Sequence, residues 1–415
     1  MTRFVKFMNL VTFAAWMAVL GPINPAAADP AFERWLQALW PEMHEAGVSR
    51  ATFDLATRNL GPDLTLPDLD LPDNRKISTS GQSEFVQTPA DYIKEATVAR
   101  LAQEARGLAA RHRGTLAAIE QKFGVAGNMV LAIWGRETGF GKYQLPHNAI
   151  RVLATQSYFG KRKEFFHHEL IMALKMLQDG EVTLAGMRSS WAGTMGLVQF
   201  LPSEFYKHGV DFDGDGRRDI WRSVPDALAS AAKQLQDKGW QPGLAWAYEV
   251  RVPKDFDCTL GVPEFTQSVE QWLKRGFVLA YDRKPSAAEL TAPASLLQPE
   301  GNGGPAFLTF HNYYVIKEYN FSDLYALFVG HLSDRIGDPR GFETPWRKST
   351  QLRTDLVESM QRMLFQLGFY KERIDGKAGM LTRAALGAYQ KSNGLMVDCW
   401  PTPAVLAHMR AGVRK

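Results

Sequence analysis

Phe32, Trp35, Leu36 and Leu39, followed by Phe53 and Leu55, recur at the spacing of an amphipathic helix over residues 32–59, with a break near Gly47. A Pro- and Asp-rich stretch over 61–73 lacks that period and predicts extended chain wrapped on the surface. Helical spacing returns over 92–113 through Ile93, Ala96, Leu101, Ala105 and Leu108, and over 116–123 through Leu116, Ile119 and Phe123. Asn128 is placed to cap a third helix, whose run from Met129 to Trp134 is apolar on every side and predicts burial. Gly139 and Gly141 must stop that helix, which puts Glu137 at or near its last turn.

Further along, 165–177 and 225–238 carry helical spacing, whereas 246–282 alternates as short strands do. The stretch 285–305 is rich in Pro, Gly, Ala and Ser; 307–314 is strand-like, and a helix follows over 322–336. Residues 337–345 have linker composition, and the remainder has a small helical pattern of its own.

At 415 residues the chain exceeds one ordinary core and has room for two or three domains. With 45% hydrophobic and 22% charged residues it is an ordinary globular chain. The N-terminus has the three parts of a secretory signal: Arg3 and Lys6, an apolar stretch over 7–20, and Ala26, Ala27 and Ala28 before Asp29. The competing reading is a membrane anchor, but the apolar run is shorter than the roughly 20 residues a span needs and ends in Pro22 and Pro25. Cys258 and Cys399 both lie far from the signal, which argues against a lipid anchor on an N-terminal cysteine. An oxidising compartment permits one disulfide between them; two free thiols are the alternative. The formal charge of +4, with basic clusters at Arg111 to Arg113 and at Lys161, Arg162 and Lys163, steers weakly. Export favours an anionic polymer outside the cytoplasm over nucleic acid, and Arg162 is taken as a candidate contact for it.

A carboxyl group at the C-terminal end of an apolar helix feels desolvation and the negative end of the helix dipole, so the acid of Glu137 is expected to hold its proton to higher pH. That is what a general acid near neutrality needs. Position alone also fits a solvated glutamate before a glycine stop. The segment Trp134, Gly135, Arg136, Glu137, Thr138, Gly139, Phe140, Gly141 resembles the catalytic motif of the lytic murein transglycosylase B family, where this Glu is the only catalytic carboxylate. A second block, Ser190-Trp191-Ala192-Gly193-Thr194-Met195-Gly196-Leu197-Val198-Gln199-Phe200-Leu201-Pro202-Ser203, is similar to a wall of the family's sugar groove, with Ser190, Gln199 and Phe200 as expected contacts. A third, from Asn312 to Tyr325, matches a later groove segment and implies that Tyr319, Asn320 and Tyr325 line the site; Tyr92 matches a further groove tyrosine.

Asp211, Asp213, Asp215 and Gly216 resemble the start of a calcium loop. Position 12 is Arg222 where a bidentate Glu is usual, and a longer loop closed by Asp226, with help from Asp219, is the candidate; a metal-free Asp/Gly turn is the alternative. No cofactor is otherwise implied. From Leu352 to Met409 the chain resembles a peptidoglycan-binding module, through Gln361, Leu364, Gly368, Asp375, Gly376, Thr382, Tyr389 and Gln390. Cys258 and Cys399 stand off the pattern in one domain each, which suggests a bridge between the two, with free thiols still open.

The resemblance implies a mainly α fold: a lysozyme-like catalytic core with an added helical region and a small β subdomain, plus a C-terminal three-helix peptidoglycan-binding domain. It divides the chain into a signal peptide over 1–28, a catalytic domain over 29–340, a linker over 341–350 and a binding domain over 351–415. It implies periplasmic, non-hydrolytic cleavage of peptidoglycan between N-acetylmuramic acid and N-acetylglucosamine, with 1,6-anhydro ends. Expected partners are glycan strands, with wall-synthesis or division proteins as candidates and no nucleic acid or membrane anchor. A hydrolytic muramidase is the nearest rival; hydrolases use two carboxylates, and 186–201 contains no Asp or Glu. A non-catalytic wall-binding scaffold is the other.

Overall fold

The computed structural model describes residues 29–71, 87–350 and 352–412, so the signal segment over 1–28 lies outside the described residues. The helix Gly127–Thr138 runs through the centre of the molecule, with residues 129 to 135 all buried. Four helices pack around it: Glu95–Arg111, Arg113–Phe123, Val224–Asp237 and Asp323–Gly337. An element apolar on every side is stable only when others cover it on every side. Among the described residues no single helix is long and apolar enough to cross a membrane.

The helical expectations hold with local differences. The first run breaks into Pro30–Ala38, Trp40–Glu45 and Arg50–Thr57; Phe53 is buried within it while Leu55 turns outward at 54% exposure. The central helix starts after Ala126, not at Asn128, and no side chain caps it. The helices Ala149–Phe159 and Lys163–Gln178 form an antiparallel hairpin on one side of the core. Residues 61–71 of the Pro- and Asp-rich stretch lie along that hairpin, with turns over 64–68 in place of the expected extended chain, held through Arg151 to the carbonyls of Gly61 and Pro62, each at 2.9 Å, and Gln156 to Pro67.

Strands β1 (His147–Asn148) and β2 (Arg188–Ser189) form an antiparallel pair beside the hairpin. The larger sheet is antiparallel, in the order β4 (Thr266–Ser268), β6 (Pro293–Leu297), β7 (Ala306–Thr309), β3 (Ala247–Arg251), β5 (Val278–Leu279). Two sequence expectations shift here. The Pro- and Gly-rich 285–305 holds β6, one of the inner strands, and residues 311–314 belong to the helix His311–Tyr319 instead of a strand. Residues 294 to 297 of β6 and all of β7 are buried, so no polar alternation marked them.

The last part of the chain is three helices, Thr354–Gln366, Met380–Ser392 and Pro403–Gly412, around Val357, Met360, Leu364, Leu386, Leu406 and Met409. Two buried glutamines organise its turns. The Oε1 of Gln361 accepts the amides of Asp375 and Gly376 at 3.0 and 2.8 Å, and that of Gln390 accepts the amide of Cys399 at 2.9 Å. This bundle sits against the larger body: Met380 joins the main core, and Cys258 and Cys399 are disulfide-bonded. A side chain at Gly387 would strike the Cys399 sulfur at 2.3 Å, and one at Gly301 would strike the Asp398 carbonyl oxygen at 1.9 Å, so both contacts need glycine.

Candidate active site

The central helix ends at Gly139, whose φ of 57° is the left-handed conformation that glycine adopts at least cost. Glu137 lies in that last turn and is half-buried. Its Oε1 accepts a hydrogen bond from the hydroxyl of Tyr325. Tyr325 is held in turn by the start of its own helix, where the Ser322 hydroxyl accepts the amides of Leu324 and Tyr325 at 3.2 and 3.3 Å. Its ring lies parallel to that of Tyr319, with centroids 6.4 Å apart, and the Tyr319 hydroxyl donates to the Val198 carbonyl at 2.7 Å. Burial pushes both phenols well above their ordinary range, and the Glu137 charge adds to it. Both therefore stay protonated and act as donors.

The loop 190–203 faces them. Ser190 Oγ accepts the amides of Ala192 and Thr194 at 3.2 and 3.3 Å and lies 2.7 Å from Thr194 Oγ1. Thr194 spends its only proton on Gln199 Oε1 at 2.8 Å, so the Ser190 proton must go to Thr194. Gln199 Nε2 donates to Gly196 O at 2.9 Å. The backbone of Gln199 has a φ of 55°, which costs a non-glycine residue about 1 kcal/mol or more and persists only where neighbours over-determine it. Asn320 is half-buried, and its Oδ1 accepts the amide of Ser322 at 3.1 Å.

Two expected contacts sit elsewhere. Phe200 is only 2% exposed and packs against Tyr319 and His208, so its ring supports the 190–203 loop from the core side. Arg162 is exposed before the helix Lys163–Gln178, with its guanidinium 5.0 Å from the ring centres of Phe165 and Phe166. Tyr92 closes the short helix Pro89–Tyr92 and is 7% exposed. Its hydroxyl accepts a hydrogen bond from Arg136, whose guanidinium lies 4.7 Å from the Tyr92 ring and 5.0 Å from that of Phe328. Burial works against the charge of Arg136, but Tyr92, Glu137 and Tyr325 outweigh it and hold the guanidinium charged.

Two positioning residues escaped the sequence reading. Arg136 is one; Thr138 is the other, donating to Leu197 O at 2.8 Å and accepting the Gly141 amide at 3.1 Å, which ties the helix end to the loop. Both belong to the motif around Glu137, but only the fold shows what they touch.

In the acidic loop, carboxylate oxygens of Asp211, Asp213 and Asp226 lie within 4.8 Å of one another. Asp226 is fully buried and accepts amides of Phe212, Asp213 and Asp219 at 2.8, 3.2 and 2.9 Å. Burial raises its carboxyl above the ordinary range in spite of those bonds. Asp215 and Asp219 turn to local amides, of Arg217 and of Trp221 and Arg222, each at 2.9 Å, and stand outside the converging three.

Residues 31–334 match the family described as Transglycosylase SLT domain. The chain belongs to that family. Residues 353–409 match the Putative peptidoglycan binding domain. Over 227 residues this family member is 30% identical to membrane-bound lytic murein transglycosylase B of Escherichia coli (strain K12); the match covers 52% of this chain and 58% of that protein, little more than half of its length. SltB3 from Pseudomonas aeruginosa, solved in complexes with NAG-anhNAM-pentapeptide and with NAG-NAM-pentapeptide, is 35% identical with a TM-score of 0.82, over 91% of this chain and 99% of that one. Slt35 of Escherichia coli, solved in complex with calcium, shares the fold at 23% identity and a TM-score of 0.58, over 77% of this chain and 99% of that one. The fold of this transglycosylase-family chain is thus mainly α and lysozyme-like, with a small sheet and a C-terminal helical module.

Proposed function

We propose that the protein is a lytic transglycosylase that cuts the β-1,4 bond between N-acetylmuramic acid and N-acetylglucosamine and leaves 1,6-anhydromuramic ends. The observation that carries this is Glu137, half-buried at an apolar helix end and held by Tyr325, with Thr138 and Tyr319 tying that end to the loop 190–203 at the Leu197 and Val198 carbonyls. In this reading Glu137 donates its proton to the leaving glycosidic oxygen. The carboxylate then takes the proton of the muramyl C6 hydroxyl, which attacks C1 and closes the ring. The hydrogen bond from Tyr325 serves the ionised half of that cycle, and the bonds among Ser190, Thr194 and Gln199 keep the groove wall rigid. The Asn320 amide nitrogen offers a donor to the sugar.

A hydrolase would need a second carboxylate in a suitable state. Glu204, whose charge Tyr319 also feels, is engaged by His208 and Lys207 and held down to about 2, which makes it a weak base for activating water. Further parts of the reading follow the chain: a signal peptide over 1–28 removed on export, a periplasmic catalytic domain over 29–340, a linker over 341–350 and a wall-binding domain over 351–415. The acidic loop is proposed to hold calcium through Asp211, Asp213 and Asp226, whose hard oxygen donors suit that ion. Its role would be to brace the loop; no reaction step passes through it.

Mass spectrometry of fragments released from purified peptidoglycan tests the activity. Anhydro products, one water lighter than hydrolysed ones, are expected, and reducing ends would overturn the reading in favour of a muramidase. The Glu137→Gln variant is expected to bind sacculi and to release fragments at least about 100-fold more slowly. Undiminished release from that variant would remove Glu137 from the chemistry.

A further inference from the structure

We propose that Arg383, in the C-terminal module, is a positioning residue for the catalytic carboxyl, so that the wall-binding module is also a structural part of the active site. The inference rests on the function proposed above and extends it to a residue outside the catalytic domain.

The path is short. Arg383 Nη2 reaches Asp323 Oδ2 at 3.3 Å, and the two side chains are only 9% and 10% exposed. Arg383 Nη1 is fixed within its own module by the Ala378 carbonyl at 2.6 Å. Asp323 is the first residue of the helix Asp323–Gly337, and its other oxygen accepts Lys317 Nζ at 2.7 Å and the Tyr313 hydroxyl at 2.8 Å. Burial alone would raise this carboxyl, but Lys317 and Arg383 overcome it and hold it below the ordinary range. An ion pair so far removed from water persists only when it is matched on both sides. Two residues after Asp323 stands Tyr325, the donor to Glu137; directly before Asp323 is Ser322, which caps the helix, and three residues before it is Asn320. The helix end that aims Tyr325 is therefore clamped between the catalytic body and the module.

The clamp has company. Met380, at the start of the same module helix, is 5% exposed and packs in the main core. Lys391 pairs with Asp257 at 3.0 Å, and the amide of Asn302 donates to the Asp398 carbonyl at 3.0 Å. A module whose only task was to hold the wall would need a tether and no buried cation directed at the helix that bears Tyr325.

The test uses the full-length, oxidised protein and soluble peptidoglycan oligomers. Arg383→Ala is expected to lower kcat about 5- to 10-fold with KM changed less than about twofold, because the loss lies in orientation and not in capture. Arg383→Lys keeps a cation at Asp323 and is expected to recover most of kcat. Sacculus binding, measured in a Glu137→Gln background, is expected to be equal with Arg383 or Ala at the position. A kcat unchanged in Arg383→Ala overturns the inference, as does a loss that Arg383→Lys fails to recover or a loss that appears in KM alone. Should Arg383→Ala fail to fold, Arg383→Gln replaces it in the same comparison. Wild-type protein that releases reducing ends overturns the transglycosylase reading alone, since kcat can still be compared on hydrolysis; wild-type protein that releases nothing overturns both.

Discussion

Tyr325 has a single proton and gives it to the carboxyl on which the proposed chemistry depends. A phenol this deeply buried beside an acid does not ionise near neutral pH, so the donor is permanent. Removing it takes from Glu137 Oε1 the hydrogen bond that aims it. Tyr325→Phe is expected to lower kcat by about 10- to 100-fold, the value of losing a hydrogen bond to a charged group, with the fold kept. Steady-state rates on soluble oligomers and a melting curve check it, and a variant as fast as wild type would take Tyr325 out of the site. At this scale the sequence was informative about Glu137, because an all-apolar run followed by glycines sets a helix end. Periodicity said nothing of the partner, which lies 188 positions away; only the resemblance of the block from Asn312 to Tyr325 placed Tyr325 at the site. Phe200 went astray for a physical reason: it lies in a tight turn where Met195 and Phe200 exchange backbone bonds at 2.8 and 2.9 Å, and that pairing turns its ring into the core. Nothing local in the sequence announces that turn.

Whole elements were legible wherever one face differed from the other. The helix Glu95–Arg111 buries one face through Val98, Leu101, Ala102 and Ala105 and was found; β6, buried along its inner length, lies in a stretch whose Pro and Gly content imitates a loop. The acidic loop is a middle case. Its spacing suggested five carboxylates, and the fold brings three together, since Asp215 and Asp219 are used up by nearby amides. Asp226 reaches the cluster from the first turn of its helix, with its neighbour Ser223 as the cap. A buried carboxyl beside two others stabilises the fold more when a cation shares the charge. Added calcium at about 100 times its dissociation constant is expected to raise the melting temperature by roughly 5 °C, and a chelator to reverse it. A melting temperature indifferent to both would leave Asp226 as a plain cap of the loop, and Asp226→Asn would then cost as much stability with calcium as without.

The molecule as a whole is two folded parts held in one arrangement. Periodicity marked helices in both parts, and resemblance to known families named the catalytic body and the three-helix module; how they meet depends on residues with no local pattern. Gly301, Gly387, Arg383 and Asp323 look like ordinary turn, helix and surface positions until the two surfaces are brought together. Only the two cysteines, one in each part, hinted at contact. Their bridge joins positions 141 apart in sequence and closes a loop that contains the sheet strands β4 to β7, the helix of Tyr325 and the linker. Closing a loop of that length removes up to about 5 kcal/mol of disorder from the unfolded chain. Protein unfolded without reductant is expected to show no free thiol and, after reduction, two. With the bridge reduced, or in Cys399→Ser, the module is expected to melt in a separate, earlier transition. The rate on soluble oligomers should fall with it, because Arg383 then leaves Asp323. Two thiols titrating before reduction would mean that the interface is held by its ion pairs and packing alone, and a single unchanged transition after reduction would mean that these suffice.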